Sequence, residues 1–284
     1  MPHAYEGLLA ETVRYPGHSG DEIEGYFARP LGVLSRPGVV VIHHMPGWDE
    51  ATKEITRKLA YHGYAAVCPN LHGREAPDAP SDDAAAAVRA AGGVPDDRCV
   101  GDVEGSIRFL RALAYLNGKV GCIGFCSGGR QSYLCAGRIP TLDAAVDCWG
   151  GRVIAAPEQL TPRQPVAPID LTPRIHCPIL GIFGNDDKGP SPEEVDRIEA
   201  ELQRCGKIYE FHRYDGAGHG FVAVDRPAYR PVQATDAWEK IFRFYEQHLG
   251  APTRASGPAR LPLPLGEGGG EGFSVINAVG TRRS

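Results

Sequence analysis

The sequence offers little that would support membrane insertion, secretion or nucleic-acid binding. Its 284 residues contain no run approaching the roughly 18 apolar residues that a membrane span needs. The first residues, Met1 to Glu6, lack the basic segment and apolar stretch of a secretion signal. The formal net charge is -5, so no basic surface for nucleic acids or anionic lipids is expected. We therefore expect a cytoplasmic protein that acts on a small molecule.

The chain also lacks any C-x-x-C pair, although it contains eight cysteines. Closely paired cysteines are typical of zinc sites and redox motifs, and a regular set in a small secreted chain would indicate disulfides. Most of the cysteines here lie in apolar, strand-like runs, which predicts buried thiols in a reducing compartment and no metal site. Cys126 is the exception, because of the residues that surround it.

Runs rich in β-branched residues alternate with amphipathic stretches from about Gly38 onward. The predicted strands are Val39–His43, Tyr64–Cys68, Lys119–Phe125, Asp143–Trp149, Ile179–Gly184 and Ile208–Tyr214. The predicted helices are Glu50–His62, Asp102–Tyr115, a short helix after Ser127, Pro192–Cys205 and Thr235–Leu249. This alternation predicts an α/β protein with a mostly parallel sheet covered by helices on both faces. Two earlier segments, Glu11–Tyr15 and Glu22–Ala28, have the pattern of an antiparallel edge pair.

Composition predicts one domain over residues 1–250 and a tail beyond it. Residues 251–284 are rich in glycine and proline and hold too few apolar residues to offset the entropy of ordering, so they are predicted to be disordered. Within the domain, the proline-rich segment Arg152–Arg174 is predicted to form an excursion over the active-site edge.

Residues 124–129 read Gly-Phe-Cys-Ser-Gly-Gly and join a predicted strand to a predicted helix. This is the Gly-x-nucleophile-x-Gly pattern of a nucleophile elbow, with Cys126 at its centre. Glycines are needed beside such a sharp turn because a Cβ there would clash. The helix N-terminus favours a thiolate at Cys126, and the N–H of Ser127 is positioned as an oxyanion donor. A buried cysteine between packing glycines is the alternative for this motif alone.

Two further elements follow the elbow in the order that such hydrolases require, which is nucleophile, acid, histidine. Asp187 follows the strand Ile179–Gly184, and His219 lies in a Gly-His-Gly turn after the next strand. His219 would take the thiol proton and later protonate the leaving group or activate water, while Asp187 would orient the imidazole. Asp186 competes with Asp187 for that role, although a solvated loop carboxylate is its more ordinary interpretation.

The sequence resembles the dienelactone hydrolase family of the α/β-hydrolases over roughly Glu11 to Leu249. The resemblance is carried by residues 124–129 and by the segments Gly63–Leu71, Asn117–Gly121 and Ala217–His219. It implies an α/β-hydrolase fold of three layers and a cysteine nucleophile where most related hydrolases have serine. It also implies cleavage of a small ester or lactone without metal or organic cofactor, since family members cleave dienelactones, which are enol-lactone intermediates of aromatic breakdown.

Two departures from the family pattern affect the expected site. Aligned on Gly47, His44 stands where the best-known members have a glutamate that interacts with the cysteine, and Met45 stands at the second oxyanion position. Pro46 cannot donate because it has no N–H. His44 is a candidate base or hydrogen-bonding partner, with packing at a strand end as the equal alternative. His43 and His44 point to opposite faces of a strand and should not share a metal ion.

The second departure concerns arginines that bind the substrate carboxylate in the family. No arginine follows His219 before Arg226, and neither Arg89 nor Arg98 can be matched to a family position. A neutral ester or lactone is therefore as good a candidate substrate as a dienelactone. Trp48 and Trp149 lie near strand ends and either line the pocket or pack in the core.

Other functions remain open at this point. The same triad would serve a thioesterase or an acyltransferase, and a non-catalytic protein of the same fold would bind a small ligand without turnover. A redox sensor would need an accessible Cys126 and a resolving thiol, for which Cys122 within the preceding strand is poorly placed. The chain is expected to be a monomer or a homodimer.

Overall fold

The structure is a computed structural model that describes residues 7–251 and 253–254, with residues 33, 34, 253 and 254 described by their backbone alone. The strands are β1 (Leu8–Pro16), β2 (Glu22–Pro30), β3 (Val33–Ile42), β4 (Ala65–Pro69), β5 (Leu116–Phe125), β6 (Ala144–Cys148), β7 (Ile179–Gly184), β8 (Tyr209–Tyr214) and β9 (Thr253–Arg254). The helices are α1 (Glu50–Tyr61), α2 (Ser81–Ala90), α3 (Asp96–Arg111), α4 (Ser127–Arg138), α5 (Pro192–Arg204) and α6 (Pro231–Leu249).

The strands form one sheet in the order β1-β2-β4-β3-β5-β6-β7-β8, with β9 paired to β3. The pairs from β4 through β8 are parallel, whereas β1 with β2, β2 with β4 and β9 with β3 are antiparallel. The predicted mostly parallel sheet with an antiparallel pair near its edge is confirmed. Because the central strands are parallel, their carboxyl ends meet at one edge, where loops carrying functional residues converge.

Two apolar cores lie on opposite faces of the sheet. Val40 and Ile42 of β3 pack with residues of α2, α3, α4 and α5, whereas Val39 and Val41 pack with residues of α1 and α6. Successive side chains of a strand point to opposite faces, so a run that is apolar throughout supplies both cores. This arrangement of helices, sheet and helices is the predicted three-layer α/β sandwich.

Several predicted element boundaries were wrong. The helix predicted over Asp102–Tyr115 is α3, which begins at Asp96 and ends at Arg111. Its start follows Pro95 with two aspartates in the first turn, where carboxylates are favoured by the helix dipole, although the apolar spacing begins only later. The alanine-rich α2 was not predicted, and α6 begins at Pro231 rather than at Thr235.

The predicted tail lies almost wholly outside the described residues. Of residues 251–284 the structure describes three, and two of them form β9, in which Thr253 pairs with Ser35 and Arg254 with Val33. The domain boundary at residue 250 and the disorder beyond it stay predictions. Within the ranges the structure describes, no helix is long and apolar enough to cross a membrane.

Candidate active site

Cys126 occupies a sharp turn between β5 and α4. Its backbone has φ 57° and ψ -117°, in a region that non-glycine residues rarely adopt, and it stands directly before the first residue of α4. A Cβ on Gly124 would lie 1.8 Å from the carbonyl oxygen of Gly128, and a Cβ on Gly128 would lie 2.2 Å from that of Ile42. The glycines are therefore required by the turn, and the strain at Cys126 is of the kind that is retained at functional sites.

Two backbone amides near Cys126 are free to act as donors. Neither the N–H of Ser127 nor that of Met45 has an acceptor among residues 7–251. Both residues line a cavity that also contains Cys126. Ser127 is the first residue of α4, whose opening amides have no partner within the helix. An oxyanion formed on a carbonyl bound at Cys126 would find donors of this kind.

His219 lines the same cavity as Cys126 and is hydrogen-bonded to a buried carboxylate. Its Nδ1–H donates to Asp187 Oδ2 at 2.8 Å, and Asp187 Oδ1 accepts from the Gly189 N–H at 2.9 Å. The Asp187 side chain is 3% exposed, whereas that of His219 is 39% exposed. Asp186 lies on the surface and its N–H bonds to the Ala217 carbonyl. The carboxylate in contact with the imidazole is therefore that of Asp187.

The pKa of His219 is raised to about 10. The largest cause is the hydrogen bond to Asp187, followed by a side-chain hydrogen bond with Cys126, and burial opposes both. The imidazole is consequently held in its charged form at neutral pH, beside the thiol. A positive neighbour favours a thiolate, which is the reactive form of cysteine.

A second histidine, His44, lines another cavity that also contains Cys126 and His219. His44 Nε2–H donates to Asp49 Oδ2 at 2.6 Å, and both side chains are about four-fifths buried. Asp49 also caps α1, because its Oδ1 accepts from the Thr52 N–H at 2.9 Å. Burial, the largest single effect, raises the pKa of Asp49, but the hydrogen bond with His44, the charge of His44 and the hydrogen bonds with Thr52 together lower the pKa to about 2.

Cys126 and His219 lie where two cavities meet. The first, here called the apolar chamber, has a volume of about 500 Å³ and is walled by Ile55, Phe125, Trp149, Val222, Val224 and Trp238. The second, here called the polar chamber, has a volume of about 470 Å³ and is walled by His72, Arg89, Arg130, Gln131, Arg152 and Gln164. Both volumes are typical of small-molecule sites.

The chambers account for several residues whose roles were open. Trp149 lines the apolar chamber, with its ring centroid 6.4 Å from that of His219. Trp48 instead packs near β4, where its Nε1–H donates to the Cys68 carbonyl at 2.9 Å. The segment Arg152–Arg174 contributes Arg152, Thr161 and Gln164 to the polar chamber, in agreement with the predicted excursion.

The arginines considered from the sequence have different positions. Arg89 lines the polar chamber and forms no ion pair with a described carboxylate, whereas Arg98 is bonded to Glu75 at 2.6 Å. Arg226 lines the apolar chamber, and its Nε lies 3.4 Å from Oδ2 of its neighbour Asp225. Arg89 thus lines the same chamber as Cys126, although its position could not be matched from the sequence.

Two carboxylates of the site were not predicted. Asp49 could have been found from its place directly before an amphipathic helix, which is an N-cap signal. Asp147 of β6 gave no such signal, since it lies within an apolar strand. It is 2% exposed, its Oδ1 accepts from the Gly150 N–H at 2.7 Å, and burial raises its pKa to about 7. Its Oδ1 is 2.4 Å from the Cβ that an alanine at Gly129 would carry, so it fills space behind the elbow.

The histidines that might suggest a metal have separate partners. His43 donates from Nδ1 to the His44 carbonyl and accepts at Nε2 from the Leu71 N–H, whereas His44 bonds to Asp49. Across the part of the chain that the structure describes, no three histidine, cysteine, aspartate or glutamate side chains are grouped as metal ligands.

A mostly parallel three-layer sheet, with a strained nucleophile elbow and a histidine–carboxylate pair at the carboxyl edge, defines an α/β-hydrolase. The model of the dienelactone hydrolase family matches residues 23–249. The chain belongs to this family and is a hydrolase of carboxylic esters.

Relatives and solved structures agree with this assignment. A protein of Methylorubrum extorquens named "Putative carboxymethylenebutenolidase" is 31% identical over 85% of this chain and 82% of its own length. A Bradyrhizobium protein named "Probable 2-oxo-3-(5-oxofuran-2-ylidene)propanoate lactonase" is 30% identical over 82% of this chain and 92% of its own. The crystal structure described as a dienelactone hydrolase of Klebsiella pneumoniae has a TM-score of 0.76 and 26% identity, and covers 86% of this chain and 100% of that one.

Proposed function

We propose that this enzyme cleaves a small carboxylic ester or lactone through a thioester formed on Cys126. The observation that carries the proposal is the hydrogen bond between Asp187 and His219, whose imidazole lines the same two chambers as Cys126 at its strained elbow. Cys126 is the nucleophile, His219 the general acid and base, and Asp187 the residue that orients the imidazole and stabilises its charge. The amides of Ser127 and Met45 form the oxyanion hole.

The reaction proceeds in two steps. The Cys126 thiolate attacks the carbonyl carbon, the C–S bond forms, and the oxyanion of the tetrahedral intermediate accepts hydrogen bonds from the two amides. The C–O bond then breaks as His219 donates its proton to the leaving alcohol. In the second step His219 takes a proton from water, the resulting hydroxide attacks the thioester, and the carboxylic acid leaves as the thiolate is restored.

We assign His44 an auxiliary role at the nucleophile. Its ring is fixed by Asp49 and lines the apolar chamber together with Cys126 and His219. Because His44 stands where related enzymes have a glutamate, it is placed to exchange a proton or hydrogen bond near the sulfur. The alternative role, packing at the end of β3, predicts no effect on the chemical step.

The substrate proposed is an ester or lactone that carries a carboxylate. Relatives are named for butenolide and oxofuranylidene-propanoate lactones, and Arg89 in the polar chamber has no carboxylate partner among the described residues. An arginine so placed would bind a substrate carboxylate.

Cytoplasmic location is supported by the eight free cysteines, and it stays a prediction. A monomeric or homodimeric state also stays a prediction.

The test compares the hydrolysis of p-nitrophenyl acetate and a panel of lactones by the wild-type enzyme and by Cys126→Ala and Cys126→Ser. Cys205→Ala serves as the matched control, because Cys205 is half-buried and lines neither chamber. We expect turnover by the wild type and by Cys205→Ala, and none by Cys126→Ala. Full activity of Cys126→Ala would reject the nucleophile.

Two other functions are separated by the same assay. A thioesterase or acyltransferase would use the same triad, and an added thiol or alcohol acceptor would then raise the rate at constant enzyme concentration. A non-catalytic binding protein would show neither turnover nor a burst with activated esters. A redox sensor is disfavoured because Cys122 is buried, its sulfur lies 3.2 Å from Ser132 Oγ, and burial raises its pKa.

A further inference from the structure

The two chambers that meet at Cys126 differ in charge. The polar chamber is lined by three arginines and, among the described residues, by no carboxylate. Arg130 is neutralised by a buried ion pair with Asp96 at 2.7 Å, but Arg89 and Arg152 form no ion pair within the described ranges. A surplus of positive charge therefore faces any molecule bound there.

Apart from the histidines beside Cys126, the charged residues of the apolar chamber balance, and its inner walls are aromatic and aliphatic. Its charged residues are two acids and two bases, Glu54, Asp225, Lys58 and Arg226. The Lys58 ammonium lies 4.7 Å from the centre of the Trp238 ring, so its charge forms a cation–π contact with that ring. The chamber thus offers a substrate apolar surface rather than a charge.

The loop that follows His219 builds most of this apolar wall. Val222, Ala223 and Val224 line the chamber, and Val224 is 60% exposed at its mouth. Together these three side chains present a continuous apolar surface to a bound ligand. The opposite wall comes from α1, where Ala51 and Ile55 lie on the chamber side, and from Trp238 of α6.

The size of the apolar chamber indicates the size of the group that it accepts. An engineered cavity of about 150 Å³ binds benzene, so a chamber of about 500 Å³ holds a group of two fused rings with space left at the mouth. A single small lactone ring that carries a carboxylate would occupy the polar chamber and leave the apolar one to water.

We propose that the natural substrate spans both chambers: its scissile ester lies at Cys126, an anionic group extends into the polar chamber, and an apolar group of one or two rings extends into the apolar chamber. This rests on the ester-hydrolase function proposed above. It makes the substrate a conjugate of an acidic and an apolar fragment, which cleavage separates.

The test uses four esters that combine two features independently: monomethyl succinate, mono-2-naphthyl succinate, methyl acetate and 2-naphthyl acetate, with uncatalysed hydrolysis subtracted. A second set reverses the direction of the ester bond, so that the naphthyl group lies in the acyl half. The wild type is expected to show the highest kcat/KM with the ester that carries both features, in one of the two sets.

Two variants address the chambers separately. Ala51→Phe fills the apolar chamber and should lower kcat/KM for naphthyl esters at least about tenfold more than for methyl esters. A factor of about ten is the discrimination that an apolar pocket achieves for one added or missing methylene group. Arg89→Gln should lower it for the carboxylate esters about tenfold more than for neutral esters. Ala200→Phe is the control, because Ala200 is exposed on α5 and lines neither chamber.

The outcomes separate this inference from the function on which it rests. If the naphthyl group brings no gain in the wild type, or if Ala51→Phe affects methyl and naphthyl esters equally, the two-chamber substrate is wrong. Val224→Trp at the mouth repeats the comparison at an exposed position where folding is not at risk. If no ester is cleaved in a Cys126-dependent way, it is the proposed function that fails.

Discussion

Cys126 and His219 are coupled by charge as well as by distance. The backbone strain at Cys126 projects its sulfur from the turn, and the imidazole beside it carries a pKa raised to about 10 by Asp187 and by the thiol itself. A protonated imidazole cannot act as a base toward a thiol, but it stabilises a thiolate that already exists. His219 is therefore expected to raise the reactivity of Cys126 toward electrophiles.

This expectation can be tested by alkylation. In a Cys205→Ala background, Cys126 is the only cysteine of the chain that is not buried, so iodoacetamide reports on it. We expect His219→Gln to slow alkylation of Cys126 at neutral pH by on the order of tenfold or more, because the charged neighbour of the sulfur is lost. Equal rates in the two proteins would show that His219 does not stabilise the thiolate.

The same pKa predicts how stability varies with pH. Because the folded pKa of His219 lies above its ordinary value of 6.5, the interaction stabilises the fold fully below pH 6.5 and is lost as the pH rises through about 10. The difference in free energy of unfolding between the wild type and His219→Gln, measured in urea, should shrink over that range. A difference that grows with pH would contradict the assignment.

Asp49 joins a helix cap to the histidine beside the nucleophile, and the two roles can be separated. Asp49→Asn keeps a good N-cap and should change the free energy of unfolding by less than about 0.5 kcal/mol, whereas Asp49→Ala should cost about 1 kcal/mol. If His44 exchanges a proton during the reaction, His44→Gln should lower kcat about 100-fold. Asp49→Asn should then shift the pH dependence of kcat, because Asp49 is the hydrogen-bond partner of His44. A loss of stability with kcat unchanged would leave His44 a packing residue.

At the level of elements, the junction of β5 with α4 is the part of the structure that depends most on glycine. Gly128 allows α4 to approach β3, since a Cβ there would lie 2.2 Å from the Ile42 carbonyl oxygen. This close approach of α4 to β3 fixes the N-terminus of α4, and with it the Ser127 amide, against the strand that leads to Met45. The proposed oxyanion donors, the amides of Ser127 and Met45, would therefore depend on a contact between two elements rather than on either one.

Gly128→Ala is expected to destabilise the protein by about 1–3 kcal/mol, the usual cost of forcing an extra carbon into a packed interior, and to lower kcat more than KM is raised. Gly73→Ala is the matched control, because the nearest atom to a Cβ there is the Asn70 side-chain nitrogen at 3.1 Å, its φ is not positive and it lines neither chamber. Thermal unfolding and steady-state kinetics provide both measurements. A neutral Gly128→Ala would mean that α4 can shift without disturbing the oxyanion donors.

Local motifs were predictable from the sequence, whereas surfaces built from distant segments were not. The elbow at Cys126 is encoded by six consecutive residues, and the order of Asp187 and His219 follows from the sheet topology. The start of α3 was misjudged because its first turn is polar, and α2 was missed because alanines give little apolar periodicity. The apolar chamber combines α1, α6 and the loop after His219, so no single stretch of sequence reveals it.

Across the whole molecule, segments from both ends of the described chain pair with strands of the central sheet. β1 covers one edge through its full pairing with β2, and β9 returns at the end of the described chain to pair with the start of β3. This pairing involves Ser35 with Thr253 and Val33 with Arg254, next to the loop that joins β2 to β3. The residues just after α6 therefore belong to the folded sheet, even though the predicted domain boundary falls before them.

A pair of truncations tests where the folded domain ends. The composition of residues 255–284 predicts that a chain ending at Arg254 keeps the thermal stability and ester-hydrolase activity of the full chain. A chain ending at Gly250 also loses β9, and should lose about 1 kcal/mol of stability, the net worth of one or two backbone hydrogen bonds. Activity should stay unchanged in both, because the chambers are lined by residues that precede Gly250. If the chain ending at Arg254 is already destabilised, residues beyond it contribute to the fold and the predicted disorder is wrong.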